Sequence, residues 1–144
     1  MIKIDFIKRK ISLIQDDLTH LVEFKNYSFN EIAKDFIKQA ALERILERII
    51  TRAIDINQHI IAELGGKDTS PPKDYRETFI ILSKLNMYTQ DFAEEIAKSI
   101  GTRNILVHEY DAVDQQSVYD SVGDCLKDYS QYCGFILKFL EQKK

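Results

Sequence analysis

Apolar residues recur every three or four positions along most of this chain, the spacing that gathers them on one face of an α-helix. Ile4, Ile7, Ile11, Ile14, Leu18 and Leu21 form the first series and predict a helix from about Ile4 to Phe24. The run "SFNE" at 28–31 reads as a capping box, with Ser28 as N-cap, Glu31 three residues on, and Tyr27 and Ile32 placed as a hydrophobic staple. The helical pattern behind it extends to Leu64, with a break expected near Asp35, and stops at Gly65-Gly66. "DYRE" at 74–77 is a second capping box and opens a helix through Phe79, Leu82 and Leu85. Thr89 or Gln90 starts another through Phe92, Ile96 and Ile100. Asp114 caps a last helix, stapled by Val113 and Val118, that ends at about Leu140. No stretch alternates for long enough to predict a strand. The expected fold class is all-α: one domain spanning residues 1–144, an antiparallel helical bundle with short connections.

Composition bounds this picture. A chain of 144 residues suits a single sizeable core, and 44% hydrophobic with 30% charged residues describes a globular rather than a disordered protein. The formal net charge is −3, so no whole-surface positive field recruits nucleic acid or acidic lipid, and RNA binding has to come from a local patch. Cys125 and Cys133 lie eight residues apart with no CxxC, and read as small core residues in a reducing cytoplasm. The N-terminal "MIKIDFIKRK" is amphipathic but lacks the apolar run of a signal peptide or membrane span, so a cytoplasmic protein without membrane association is expected.

One segment does not fit a plain core helix. "RNILVHEY", Arg103 to Tyr110, crowds four polar side chains around Ile105, Leu106 and Val107. Arg103 falls on the apolar stripe of Ile96, Ile100 and Val107, where an unpaired charge costs several kcal/mol. Asn104 and His108 continue a second row from Ile100 at steps of four. Arg103 and His108 point about 140° apart on an ideal helix, so only the long arginine side chain or a bend near Gly101 brings them together within one chain. Tyr110 is expected at or past the helix end. Taken alone, an arginine and a histidine near a helix end are more often a packing pair or a complement to the helix dipole than a catalytic site.

Taken together, Arg103, Asn104, His108 and Tyr110 form an RNx3HxY pattern that resembles the RX4HXY motif of HEPN-domain ribonucleases, and specifically the HepT-like toxins of toxin–antitoxin pairs. "LERILERIITRAIDINQHIIAELG" (42–65) is similar to that family's long second helix, and "PPKDYRETFIILSKL" (71–85) resembles its loop with a P-x-x-Y start. The resemblance implies a HEPN-like helical bundle, a homodimer that pairs two motifs across its interface, an RNA substrate, and a nucleotidyltransferase antitoxin that silences the toxin by adding AMP to the tyrosine matching Tyr110.

The residues suit that chemistry. RNA carries its own nucleophile, the 2′-OH beside each phosphodiester. Cleavage needs a base for that hydroxyl, an acid for the leaving 5′-oxygen, and positive charge at the phosphorus. Histidine as a residue type titrates near pH 6.5, about right for either proton transfer, which makes position 108 the candidate acid or base. Arg103 stays charged and offers a planar fork to phosphate oxygens. Asn104, one turn before His108, either orients the imidazole or bonds the phosphate. No cofactor is called for, and no metal is suggested, since His20, His59 and His108 lack any HxH or HExxH spacing. His20 and His59 are expected at the helix surface or core edge. One motif supplies one histidine, whereas the reaction uses an acid and a base; a two-fold dimer resolves this by placing two Arg103–His108 pairs around one cleft.

Two further features stay open on sequence. Arg44, Arg48 and Arg52 form a basic row at steps of four, either a solvated face balanced by Glu43, Glu47 and Asp55 or a strip that holds RNA phosphates. Asp55 is either a partner for Arg103 or an exposed position. The competing functional class is a non-catalytic helical module that binds a nucleotide or a protein in the same groove.

Overall fold

A computed structural model describes residues 1–65, 71–108 and 114–143. Its helices are α1 (Ile4–Glu23), α2 (Phe29–Ala33), α3 (Phe36–Leu64), α4 (Tyr75–Lys84), α5 (Gln90–Ala97), α6 (Ser99–His108) and α7 (Gln115–Glu141), with a 3₁₀ turn at Phe24–Asn26 after α1. The described residues form no strand. The all-α expectation and most helix starts agree with this order.

Local chemistry sets those starts. Ser28 accepts from the Glu31 N–H and Glu31 returns a bond to the Ser28 N–H, so both halves of the capping box are made. The expected break falls at Asp35, whose carboxylate caps α3 through the N–H groups of Ile37 and Lys38. Asp74, Thr89 and Asp114 cap α4, α5 and α7 in the same way. Gly65 ends α3; Gly66 and Val113 lie outside the described residues. Asn86 leaves α4 with φ of 66°, a left-handed conformation that asparagine tolerates better than most residues.

Three long helices carry the core. α1 packs on α3 and α7, and the shorter α4, α5 and α6 close over the other side of α3 and α7. Ile7, Ile11, Ile14 and Leu21 of α1 meet Leu46, Ile49, Ala53 and Ile60 of α3 in one buried cluster with Tyr129, Tyr132 and Ile136 of α7. Cys125 and Cys133 are buried free thiols within it, as expected, and burial pushes the Cys133 thiol up to about 12. No helix among the described residues is long and apolar enough to cross a membrane.

The structure departs from the sequence expectation between Gln90 and His108. One continuous helix was predicted through Ile96 and Ile100; instead the chain breaks at Lys98 into α5 and α6. There, Lys98 N–H bonds to Glu95 and Gly101 N–H bonds to Lys98, both three-residue steps of 3₁₀ type. Ser99 explains the break. Its hydroxyl donates to the Ile96 carbonyl at 2.6 Å and lies 2.7 Å from the Tyr129 hydroxyl of α7.

Candidate functional site

α6 carries three of the motif residues. It runs unbroken through Gly101 to His108, so a bend at Gly101, one of the two ways to bring Arg103 and His108 together, does not occur. The break at Lys98 precedes both Arg103 and His108 and leaves their bearings about 140° apart. Asn104 and His108 are exposed, Arg103 is half-buried, and no hydrogen bond joins Arg103 to His108 among the described residues. The apolar trio differs from a core stripe: Ile105, Leu106 and Val107 are all only half-buried, whereas Ile100 is buried. Tyr110 lies outside the described residues.

Arg103 is held from two other helices. Its Nε donates to Thr51 Oγ1 of α3 at 3.1 Å, and its guanidinium carbon sits 4.9 Å from the centre of the Tyr75 ring on α4. No carboxylate pairs with Arg103 among the described residues, so Asp55 is not its partner; Asp55 instead accepts from Lys10 Nζ at 3.0 Å. The arginine escapes the cost of a buried unpaired charge because it is neither fully buried nor bare: a hydroxyl takes one donor and an aromatic face covers the plane.

A buried polar chain places Tyr75. The Tyr132 hydroxyl of α7 donates to Asn57 Oδ1 at 2.6 Å, and Asn57 Nδ2 donates to Thr78 Oγ1 at 3.1 Å. Thr78 Oγ1 donates onward to the Tyr75 carbonyl at 2.6 Å. Asn57, Thr78 and Tyr132 are fully buried or nearly so, which makes an unmade bond costly and the arrangement specific. The first turn of α4 is thereby tied to α3 and α7, and the Tyr75 ring is presented to Arg103. The sequence offers no sign that Thr51 and Tyr75 are the residues that hold Arg103. It places Tyr75 at the start of the "DYRE" helix, but nothing local tells which residue of α6 its ring meets.

The basic row is balanced as expected only at Arg44, which pairs with Glu47, whereas Arg48 and Arg52 turn to α1. Arg48 grips the carboxylate of Asp17 on α1 through Nε, at 3.0 Å, and Nη2, and Arg52 Nη1 reaches the same carboxylate at 2.8 Å. The Asp17 side chain is 1% exposed. Arg44 bonds to Glu47 at 3.4 Å at the surface. The charge balance of the row therefore comes chiefly from α1, and two of its three guanidiniums bind a buried acid. His20 lies at the surface 3.7 Å from Asp17, and His59 is half-buried, its Nε2 accepting from the Lys3 N–H.

On the other side of α6, a cavity of about 80 Å³ lies among α3, α5 and α7, lined by Ser99, Thr102, Glu95, Asp124 and Asp128. Asp128 is buried there, and burial, followed by the neighbouring Glu95 charge, pushes its carboxyl up to about 6.

With this geometry in place, comparison with known proteins is informative. The Ribonuclease HepT-like family model matches residues 14–136. A tRNA nuclease HepT from Aphanizomenon flos-aquae is 38% identical over 136 residues, covering 93% of this chain and 89% of that protein. An mRNA nuclease HepT from Shewanella oneidensis is 31% identical over 134 residues, covering 93% and 92%. Among solved structures, a tri-AMPylated Shewanella oneidensis HEPN toxin in complex with MNT antitoxin has a TM-score of 0.79 at 27% identity, covering 96% of this chain and 99% of that one. The cytosolic Bacillus subtilis protein YutE has a TM-score of 0.84 at 20% identity over 99% and 93% of the two chains, a likeness of fold alone. The chain belongs to the HepT-like family of ribonucleases.

Proposed function

We propose that this protein is the toxin of a toxin–antitoxin pair and cleaves RNA without a metal ion, by attack of the substrate's own 2′-OH. Arg103 holds and neutralises the phosphate in the transition state. His108 moves a proton at the 2′-OH or at the leaving 5′-oxygen, and Asn104 supports the phosphate or the imidazole. The observation that carries this reading is Arg103 itself, a cation without a carboxylate partner among the described residues, fixed by Thr51 and Tyr75 beside an exposed Asn104 and His108. Such a group is already oriented for an incoming anion and needs no reorganisation when charge develops.

Two further parts follow. The diverging bearings of Arg103 and His108, and the half-exposed Ile105, Leu106 and Val107 between them, favour a homodimer in which one protomer's arginine serves with its partner's histidine. The partner is a nucleotidyltransferase antitoxin that adds AMP to Tyr110. Each AMP brings a negative phosphodiester and a purine close to Arg103 in sequence, which occupy the phosphate site by charge and volume. The basic row is left out of RNA binding because Arg48 and Arg52 hold Asp17.

The test is cleavage by single and mixed variants. His108→Ala and Arg103→Ala are each expected to lose most cleavage with the helical fold intact. Arg103→Lys restores little, since an ammonium lacks the planar fork. Mixed dimers of the two alanine variants are expected to regain part of the activity. Full activity in either alanine variant would sink the assignment, and an active monomer would remove the shared cleft.

A further inference from the structure

The chain has six arginines, and those of α3 are all engaged by carboxylates: Arg44 by Glu47, Arg48 and Arg52 by Asp17. Arg76 and Arg103 are not paired with any carboxylate among the described residues; Arg103 of α6 lies over the Tyr75 ring, and Arg76 is the next residue of α4. There, Lys73, Asp74, Tyr75 and Arg76 at the start of α4 form an open groove with Ile100 and Asn104 of α6. Asp74 is the acid of that lining, and its Oδ1 accepts from the Glu77 N–H as the cap of α4. Lys73 and Arg76 are exposed, so both keep their donors available to a ligand.

Gly101 shapes this groove. It lies inside α6 with ordinary helical neighbours, a position where glycine weakens a helix relative to alanine. A Cβ built there would sit 3.3 Å from Arg76 Nη2. The end of the exposed Arg76 side chain thus lies against α6, one turn before Asn104, where a methyl would shift it by a few tenths of an ångström. The cost to the helix has a counterpart in the placement of one cation.

We propose that Arg76 and Lys73, with Asn104, form a second phosphate subsite next to Arg103, which holds a neighbouring phosphate of single-stranded RNA, and that Gly101 is present to seat Arg76. The proposal rests on the ribonuclease reading above and deepens it. Tyr75 stands between the two cations, its ring under Arg103 and its backbone beside Arg76, so the two sites are set by one turn of α4. The ligand class follows from the charged donors: guanidinium and ammonium groups bind phosphate oxygens, which carry no sequence information. This also supplies the local positive patch that a chain of net charge −3 needs to bind RNA at all.

The experiment uses the full chain and a fluorescent mixed-sequence RNA with 2′-O-methyl riboses, which has no nucleophile and cannot be cleaved. Binding is measured by anisotropy across a salt series. Arg76→Ala is expected to weaken binding about tenfold, equally for different sequences, and to lower the slope of log affinity against log salt by about 0.7. Lys73→Ala should act in the same direction. Lys84→Ala, on the far end of the same helix, should bind like the wild-type protein. Gly101→Ala is expected to bind RNA severalfold less tightly while its thermal midpoint stays level or rises, a combination that damage to the fold cannot produce. Unchanged affinity in Arg76→Ala, or an equal loss in Lys84→Ala, would overturn the subsite; wild-type affinity in Gly101→Ala would overturn the role of the glycine. Failure of the catalytic reading is seen separately, as cleavage of unmodified RNA by His108→Ala, and leaves these binding results to stand or fall alone.

Discussion

Replacing Arg48 and Arg52 with alanine together should unfold a large part of this protein's stability margin. Asp17 is 1% exposed and accepts from Arg48 Nε at 3.0 Å, from Arg48 Nη2, and from Arg52 Nη1 at 2.8 Å. Removing either arginine leaves the other on the carboxylate, a loss of about 1.5–3 kcal/mol for charged hydrogen bonds. Removing both strands a buried anion beside which only an exposed histidine remains, 3.7 Å away among the described residues, and costs about 3–5 kcal/mol. Asp17→Ala is expected to be milder than the double variant. The Arg48 and Arg52 side chains are 36% and 20% exposed, so water can reach both guanidiniums once the acid is gone. Adding Asp17→Asn to the double variant should therefore recover part of the loss. Urea unfolding at constant salt reads these differences as midpoint shifts at unchanged slope. A double variant within about 0.5 kcal/mol of wild type that binds RNA poorly would refute the reasoning and return the basic row to the substrate.

Three further outcomes follow from the same geometry. Asp128 has its carboxyl raised to about 6 from an ordinary 3.8, so the fold favours its neutral form; its contribution is full below pH 3.8 and is lost as pH rises through 6. Asp128→Asn should then raise the thermal midpoint at pH 7.5, by at most about 3 kcal/mol of stability, and flatten the pH dependence between 4 and 6; an unchanged or lower midpoint at pH 7.5 contradicts this. Tyr75→Ala should slow cleavage about two- to fivefold at full helicity, the worth of one cation–π contact, while Tyr75→Phe stays close to wild type; equal rates in both would show that the ring does not position Arg103. Tyr110→Phe should remain an active ribonuclease yet gain no AMP mass on incubation with the nucleotidyltransferase partner and ATP–Mg²⁺; silencing as complete as in wild type would place the switch elsewhere.

What could be read from the sequence is what short-range chemistry decides. Ser28, Asp35, Thr89 and Asp114 cap helices through bonds to groups two or three residues on; Ser28 and Asp114 are readable as caps from their neighbours, Asp35 as the place of a break, and Thr89 as one of two starts for α5. The α5–α6 break was not legible because Ser99, which makes it, bonds to a Tyr129 hydroxyl 30 residues away, and Ile96 and Ile100 continue the step of four across it. The partner of Arg48 and Arg52 was not legible for the same reason: Asp17 lies 31 and 35 residues before the two arginines it binds. A signal did exist, since Asp17 follows Ile14 by three and adjoins Leu18 on the apolar stripe of α1. The motif on α6 was legible as a pattern of residue types. The hold on Arg103 was not, because Thr51 and Tyr75 reach it from two other helices.

Cleavage by the RNA's own 2′-OH, with Arg103 and His108 as proposed, dictates which ends the cut leaves. The most direct measurement is the chemistry of the cut ends, read by mass spectrometry after incubation of the protein with single-stranded RNA in excess chelator. The predicted result is undiminished cleavage that leaves 2′,3′-cyclic phosphates and 5′-hydroxyls, and no cleavage of an RNA that carries 2′-deoxyribose at the cut position. Loss of activity in the chelator, with 5′-phosphate and 3′-hydroxyl ends when metal is restored, would contradict it, since water and not the 2′-OH would then be the nucleophile.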